Sequence, residues 1–316
     1  MNEIGGFFGL ELSSGNEYHK GAIRLNTGRN AFEYILKAKN YSKVYMPYFT
    51  CSVMLEPIHK LDLDIEFYHV DAEFYPKFNF DKVQDKEVFL YTNYFGICDH
   101  LVERVMKKVI NLIVDNSQAF YSKPINGIDT FYSARKFFGV PDGAYLYTET
   151  LLDQELEQDT SINRFEHLIG RVETNAKSYY SKFKESDNSL KNQPIKTMSI
   201  ITQKILDSLN YKKIANVRRQ NFEFFENILK ESNMLNFDLS KDSVPMIYPY
   251  FVDEGYRLKN KLIEENIFVA TYWPNVLKWT TPDTFEFNLT QNLLSLPIDQ
   301  RYDSTELLQI KKNLKE

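Results

Sequence analysis

Asp129-Thr130-Phe131-Tyr132-Ser133-Ala134-Arg135-Lys136-Phe137-Phe138-Gly139-Val140-Pro141-Asp142-Gly143-Ala144, read together with the earlier run Val114-Asp115-Asn116-Ser117-Gln118-Ala119, decides how this chain folds. Asn111 to Asp115 reads as a buried strand that ends on an acid. Ile128 to Tyr132 reads as a second strand with a Ser-x-x-Lys just past it. A serine three residues before a lysine carries almost no information alone. The order does: strand, acid, strand, lysine. A pyridoxal phosphate enzyme needs that order. The lysine amine forms a Schiff base with the cofactor aldehyde. The aspartate keeps the pyridine nitrogen protonated, so that the ring can take up electrons. Lys136 and Asp115 are the candidates for these roles, and the Ser133 hydroxyl is in reach of the cofactor phosphate.

Outward from these runs, strand-like and helix-like segments alternate from about residue 28 to 150. Asn30 to Lys39 has helical spacing, and Lys43 to Pro47 is a short strand. Thr50 to Lys60 reads as a helix, Ile65 to Asp71 and Val88 to Asn93 as strands, Leu101 to Lys108 as a helix, and Ala144 to Thr148 as a strand. Such alternation predicts an α/β fold: a mainly parallel sheet covered by helices, with ligands gathered beyond the strand ends. From 149 to 215 the chain turns polar and helix-rich, with a loop or bend expected at Lys184–Asn192. A long helix is expected from Tyr211 to Lys230. Strands at Met246–Val252 and Ile267–Ala270 and helices at Tyr256–Glu265 and Ser304–Lys315 complete a smaller α+β domain. The expected division is 1–200 for a cofactor-binding domain and 201–316 for the small one.

Composition narrows the class. The chain has 316 residues, 43% of them hydrophobic, with 21 Tyr and 24 Phe, enough to bury a large core. No apolar run approaches the length of a membrane span, and the N-terminal residues lack a signal-peptide pattern. Cys51 and Cys98 have no metal-site or redox spacing, and the five histidines are scattered. The expectation is a cytoplasmic protein with no metal. A net charge of −5 with dispersed lysines argues against nucleic acid as a partner. Arg218-Arg219 reads as a solvated helix face. Arg301 could meet a substrate carboxylate or phosphate, or simply lie on the surface.

Over nearly its whole length the chain resembles the DegT/DnrJ/StrS-type sugar aminotransferases, a branch of the fold-type-I pyridoxal phosphate enzymes. Val114 to Ala119 resembles the family's Glu-Asp-Ala-Ala-Gln-Ala, and Phe131 to Ala144 its serine, lysine and glycine-rich turn. Leu25-Asn26-Thr27-Gly28-Arg29-Asn30-Ala31 is similar to Ser-Gly-Thr-x-Ala, and Tyr45 to Thr50 to Pro-x-Phe-Thr-Phe. The resemblance implies that Asp115 binds the pyridine nitrogen, Gln118 lies at the phenolic oxygen and Ser117 lies against the ring. It implies phosphate contacts from Gly28, Arg29 and Asn30 at a helix N-terminus, where physics favours an anion. It implies an aromatic stacked on the ring beside Thr50. Cys51 stands where the family has that aromatic, which leaves Phe49 or Tyr48. Many members carry the serine five residues before the lysine, where this chain has Phe131; Ser133 follows the wider fold-type-I spacing, with Thr130 as the alternative for the phosphate. Asn93 replaces the usual histidine, and the segment after the lysine is shorter than in typical members.

The reaction that the resemblance implies is a two-half transamination, from glutamate to a nucleotide-linked keto-sugar for polysaccharide or other amino-sugar synthesis, in a homodimer. Lys136 would carry the proton between the donor's α-carbon and the cofactor's C4′. Two other readings compete. One is a pyridoxal phosphate lyase or dehydratase; the family's dehydratases have histidine in place of the lysine, which Lys136 disfavours. The other is a non-catalytic scaffold or regulator on the same fold.

Overall fold

Strand β6, Leu112–Asp115, is buried along its whole length because the sheet continues on both sides of it and both faces are covered. The computed structural model describes residues 4–237 and 239–314. Its main sheet has eight strands: β1 Ile23–Leu25, β2 Lys43–Pro47, β3 Asp64–Val70, β4 Pro76–Lys77, β5 Glu87–Thr92, β6, β7 Asp129–Ser133 and β8 Ala144–Tyr147, in the order β1-β8-β7-β6-β5-β2-β3-β4. The five strands β7-β6-β5-β2-β3 run parallel; β1 and β8 at one edge and β4 at the other lie antiparallel to their neighbours. The mainly parallel sheet expected from the alternation is present. A second sheet pairs β9, Ile247–Phe251, with β10, Leu293–Pro297.

The period-two alternation of side chains sorts the strands into two cores. Val44, Met46, Val88, Leu90, Ile113, Phe131 and Leu146 point to one face. There they meet helix α1, Gly28–Lys39, through Ala31, Phe32, Ile35 and Leu36, and helix α2, Leu55–Lys60, through Ile58. Tyr45, Phe89, Tyr91, Leu112, Val114, Tyr132 and Tyr145 point to the other face, into a larger aromatic core. Helix α3, Asp99–Met106, covers part of that face. Burying each large apolar side chain contributes roughly 1.5–3 kcal/mol, so both faces are strongly specified.

Beyond β8 come α4 Glu166–Glu173, α5 Tyr180–Ser189, α6 Ile200–Asp207, α7 Tyr211–Leu229, α8 Gly255–Glu264, α9 Val276–Trp279, α10 Phe285–Asn292 and α11 Ser304–Leu314. Helix α7 lays Phe222 and Phe225 on Tyr248 of β9, and all three belong to the same aromatic core as Tyr91 and Tyr132. Among the described residues, no helix is long and apolar enough to cross a membrane.

Three local expectations are corrected. The polar run from Lys184 turns only at its end, over 190–192: α5 continues through it to Ser189, held by the Arg135–Asp187 ion pair (3.1 Å) and the buried Leu190. Ile267–Ala270 is not a strand, apart from one bridge between Ala270 and Ser295. Asn266 takes a left-handed φ of 59°, and the Ile267 N–H turns back to the Leu262 carbonyl to close α8 instead of joining a ladder. Arg218 is not solvated. It lies on the apolar stripe of α7, with Ile214, Phe222, Phe225 and Leu229, and is buried.

Candidate active site

The parallel strands bring Asp115 and Lys136 to the same edge of the sheet. In register, Asp115 lies opposite Thr92 of β5 and Phe131 of β7, so the last residues of β7 extend past the end of β6. After Ser133 the chain makes one 3-10 turn, Ala134–Lys136, which carries the lysine over that edge. Lys136 is exposed and makes no hydrogen bond or ion pair among the described residues. Its charge is nonetheless felt by Asp115. The carboxylate is buried, and loss of solvent raises its pKa; the N–H of Ser117, 2.8 Å from Oδ1, and the Lys136 ammonium offset this in part.

The loop is pinned from behind. Gly143 adopts φ +114°, donates its N–H to the Asn26 carbonyl (2.6 Å) and accepts from the Ala134 N–H (3.0 Å). A side chain there would be strained by that φ, and a Cβ would lie 3.0 Å from Thr202 Cγ2. Beside it Asp142 is buried and accepts from the backbone and hydroxyl of Ser199 and from the Thr202 hydroxyl, with Arg164 at 3.5 Å. One glycine therefore ties the lysine loop to the loop that starts α1.

At α1 the first-turn N–H groups have no intrahelical partner, and Thr27 Oγ1 accepts only that of Asn30 (3.2 Å). A Cβ on Gly28 would sit 3.3 Å from Ser117 Oγ and 3.8 Å from the Phe131 ring. Gly28 thus brings the positive end of α1 against Ser117, at the rim of the same edge. The Arg29 and Asn30 side chains are otherwise engaged: Arg29 pairs with Glu56 at 2.8 Å, and Asn30 bonds Thr27 Oγ1 and the Gln193 carbonyl. Since the Asn30 N–H is also taken by Thr27, the open donor that these two residues leave at the helix end is the Arg29 N–H.

Gln118 is buried. Its Oε1 accepts the Phe95 N–H at 3.0 Å, while its Nε2 has no hydrogen-bond partner among the described residues. A buried amide N–H without an acceptor costs about 1–3 kcal/mol, and an anionic ligand oxygen beyond Asp115 would remove that cost. The donor set therefore fits pyridoxal phosphate: a carboxylate for the ring nitrogen, an amide for the phenolic oxygen, a free amine, and a helix end with a hydroxyl for the phosphate.

Of the two candidate hydroxyls, Thr130 lies level with Val114, below the edge, and donates to the Ile128 carbonyl (3.1 Å). Ser133 lies beyond Asp115 and makes no such bond. Ser133→Ala should weaken pyridoxal phosphate binding by about 1.5–3 kcal/mol, the value of a hydrogen bond to a charged group, and Thr130→Ala by much less. A cofactor titration measures both, and a larger loss at Thr130 would reverse the assignment. Phe49 is enclosed by Tyr94, Phe74 and Trp273 (centroids 5.4, 6.5 and 4.9 Å), with Thr50 beside it held by Asn275 Nδ2 (2.9 Å). Tyr48 is stacked on Phe67. Asn93 is spent on Asp99, Asn116 and Ser122. Arg301 pairs with Asp299 at 2.6 Å. No cluster of metal-ligating side chains occurs among the described residues.

No family model and no curated protein matches this chain. Solved structures do. The chain is similar to the sugar aminotransferase CalS13 from Micromonospora echinospora, with 12% identity, TM-score 0.61, and 93% of this chain and 86% of that one covered. It is similar to a DegT DnrJ EryC1 StrS aminotransferase from Brucella abortus, with 15% identity, TM-score 0.62, and 92% and 84% covered. It is also similar to NtdA from Bacillus subtilis, solved with bound cofactor PMP, with 14% identity, TM-score 0.63, and 93% and 72% covered. At these identities the likeness establishes the fold. It is the fold-type-I architecture expected from the sequence.

Proposed function

We propose that the protein is a pyridoxal phosphate-dependent sugar aminotransferase. In this reading it moves an amino group from glutamate to a nucleotide-linked keto-sugar, for surface polysaccharide or another amino-sugar product. The observation that carries it is the meeting of Asp115 and the free Lys136 amine at one sheet edge, with the unpartnered Gln118 amide three residues along the chain from Asp115. Residues 1–200 form the cofactor domain and 201–316 the small domain, in a cytoplasmic homodimer.

When bound, the cofactor supplies a conjugated ring that accepts the electron pair of the donor's broken Cα–H bond. The chain's own residues do the rest. Asp115 holds the proton on the ring nitrogen, because a cation opposite its buried carboxylate relieves the desolvation that raises its pKa. Gln118 Nε2 would donate to the phenolic oxygen, Ser117 would lie beside the ring, and Ser133 would join the first amides of α1 in holding the phosphate. Lys136, unencumbered by any partner, carries the proton between the donor's α-carbon and C4′.

Glutamate alone tests this, since the first half of the reaction needs no sugar. Protein loaded with pyridoxal phosphate should release 2-oxoglutarate, close to one equivalent per site, and its visible spectrum should change with it. A lyase would leave the cofactor without the amino group, and a scaffold would leave the spectrum unchanged. An unchanged spectrum with glutamate and with other common amino donors would overturn the assignment.

A further inference from the structure

The carbonyl that follows Lys136 is gripped by two side chains from the C-terminal half. Phe137 O accepts from Gln300 Nε2 at 2.8 Å and from Arg218 Nη2 at 3.4 Å, and the Arg218 guanidinium lies over the Phe137 ring at 4.6 Å. The same guanidinium reaches the other way, with Nη1 donating to the Met246 carbonyl at 2.9 Å. Met246 donates its N–H to the Phe95 carbonyl (2.8 Å), and Phe95 donates its own N–H to Gln118 Oε1 (3.0 Å). Phe95 holds φ +55°, which a residue with a side chain adopts only when its surroundings impose it. A continuous bonded path thus runs from the lysine loop through Arg218 to the amide at the sheet edge.

Nothing else accounts for Arg218. It is buried, and no carboxylate lies within ion-pairing distance of it among the described residues. Asp299, the acid whose field it feels most, is bonded to Arg301 instead. A buried cation is costly without compensation, and here it is spent on carbonyl oxygens and the face of the Phe137 ring. The planar fork of arginine can serve carbonyls on two sides at once, which the single ammonium of lysine cannot.

We infer that Arg218 and Gln300 are positioning residues that hold the Lys136 loop and the Gln118 amide in one frame, so that the amine and the amide face the same ligand. The inference rests on the cofactor reading above. It predicts that Arg218→Lys loosens both ends together. Amide hydrogen exchange on the unloaded protein should speed up at least tenfold at Phe137 and Phe138 and also at Phe95, while Leu90 and Tyr91 in β5 stay unchanged. Arg219→Lys is the control: among the described residues Arg219 bonds only Ser243, Asp242 and Asn216, away from the loop, and its replacement should leave all of these amides as they are. In loaded protein, the pH midpoint of the visible spectrum should move in Arg218→Lys and hold in Arg219→Lys.

Faster exchange at one end only, or equally through β5, would overturn the frame and make Arg218 a local or general stabiliser. So would unchanged exchange. If Arg218→Lys does not fold, Gln300→Met decides: the frame requires faster exchange at Phe137 and Phe138, and unchanged rates there would sink it. Failure of the cofactor reading shows separately, as wild-type protein that takes up no pyridoxal phosphate.

Discussion

Incubation with pyridoxal phosphate followed by borohydride should fix the cofactor covalently onto the peptide that carries Lys136, and Lys136→Ala should abolish the adduct. Amino transfer should fall in the same variant by at least the 10²–10⁴-fold that a positioned acid–base group supplies. The expectation follows from placement. Lys136 leaves β7 on a single 3-10 turn, carries no partner among the described residues, and lies within electrostatic range of Asp115. Lys259 is the natural rival, because burial lowers its pKa and so increases its neutral, reactive fraction. It sits on α8 and donates to Thr271, in the C-terminal half. Mass spectrometry of the reduced protein separates the two. An adduct on Lys259 with none on Lys136 would place the chemistry elsewhere, and no adduct at all would end the enzyme reading.

Asp115→Asn should have opposite effects on activity and on stability. Activity should drop by two orders of magnitude or more, since an amide cannot hold the ring nitrogen protonated, and each pKa unit of that proton corresponds to about 1.4 kcal/mol. The unloaded protein, in contrast, should melt at a higher temperature at neutral pH. The sign follows from linkage: burial raises the folded-state pKa of Asp115 above its unfolded value. The group therefore favours folding in acid, and that contribution is lost as pH rises through the raised pKa. At neutral pH the buried charge is a cost, which Asn removes while its Oδ1 can still accept the Ser117 N–H. The gain should shrink as pH is lowered toward the carboxylate range. Calorimetry of both proteins across that range measures it, and a variant that melts lower at every pH would show Asp115 to be a structural anchor.

The main sheet was legible because its central strands are buried on both faces. Runs such as Val88–Thr92 and Leu112–Asp115 have no other apolar home in an α/β chain. Edge strands were not legible. β1 and β4 have three and two residues, and their pairing with β8 and β3 depends on the partner rather than on their own pattern. Arg218 could have been found. Ile214, Phe222, Phe225 and Leu229 recur at helical spacing, and Arg218 falls on their stripe while Arg219 falls off it. The dipeptide hides this, because two adjacent arginines look like one charged surface until they are placed on a helix.

The order of strand, acid, strand and lysine, the glycine at the start of α1 and the glycine that turns β7 into β8 are all readable along the chain. Each is a local demand, set by side-chain period or by backbone freedom. Which of the nearby polar groups are free depends on the packing of distant segments. Thr130 and Asn30 are as well placed in the sequence as Ser133 and Gly28, yet a carbonyl two residues back takes the Thr130 hydroxyl and the Gln193 carbonyl takes the Asn30 amide. Gln118 gains its orphaned Nε2 because a left-handed Phe95 from another strand end occupies its oxygen. Hydrogen-bond partners distant in sequence leave no period and no motif, so the choice between a structural and a ligand-facing polar group appears only when the strands are side by side.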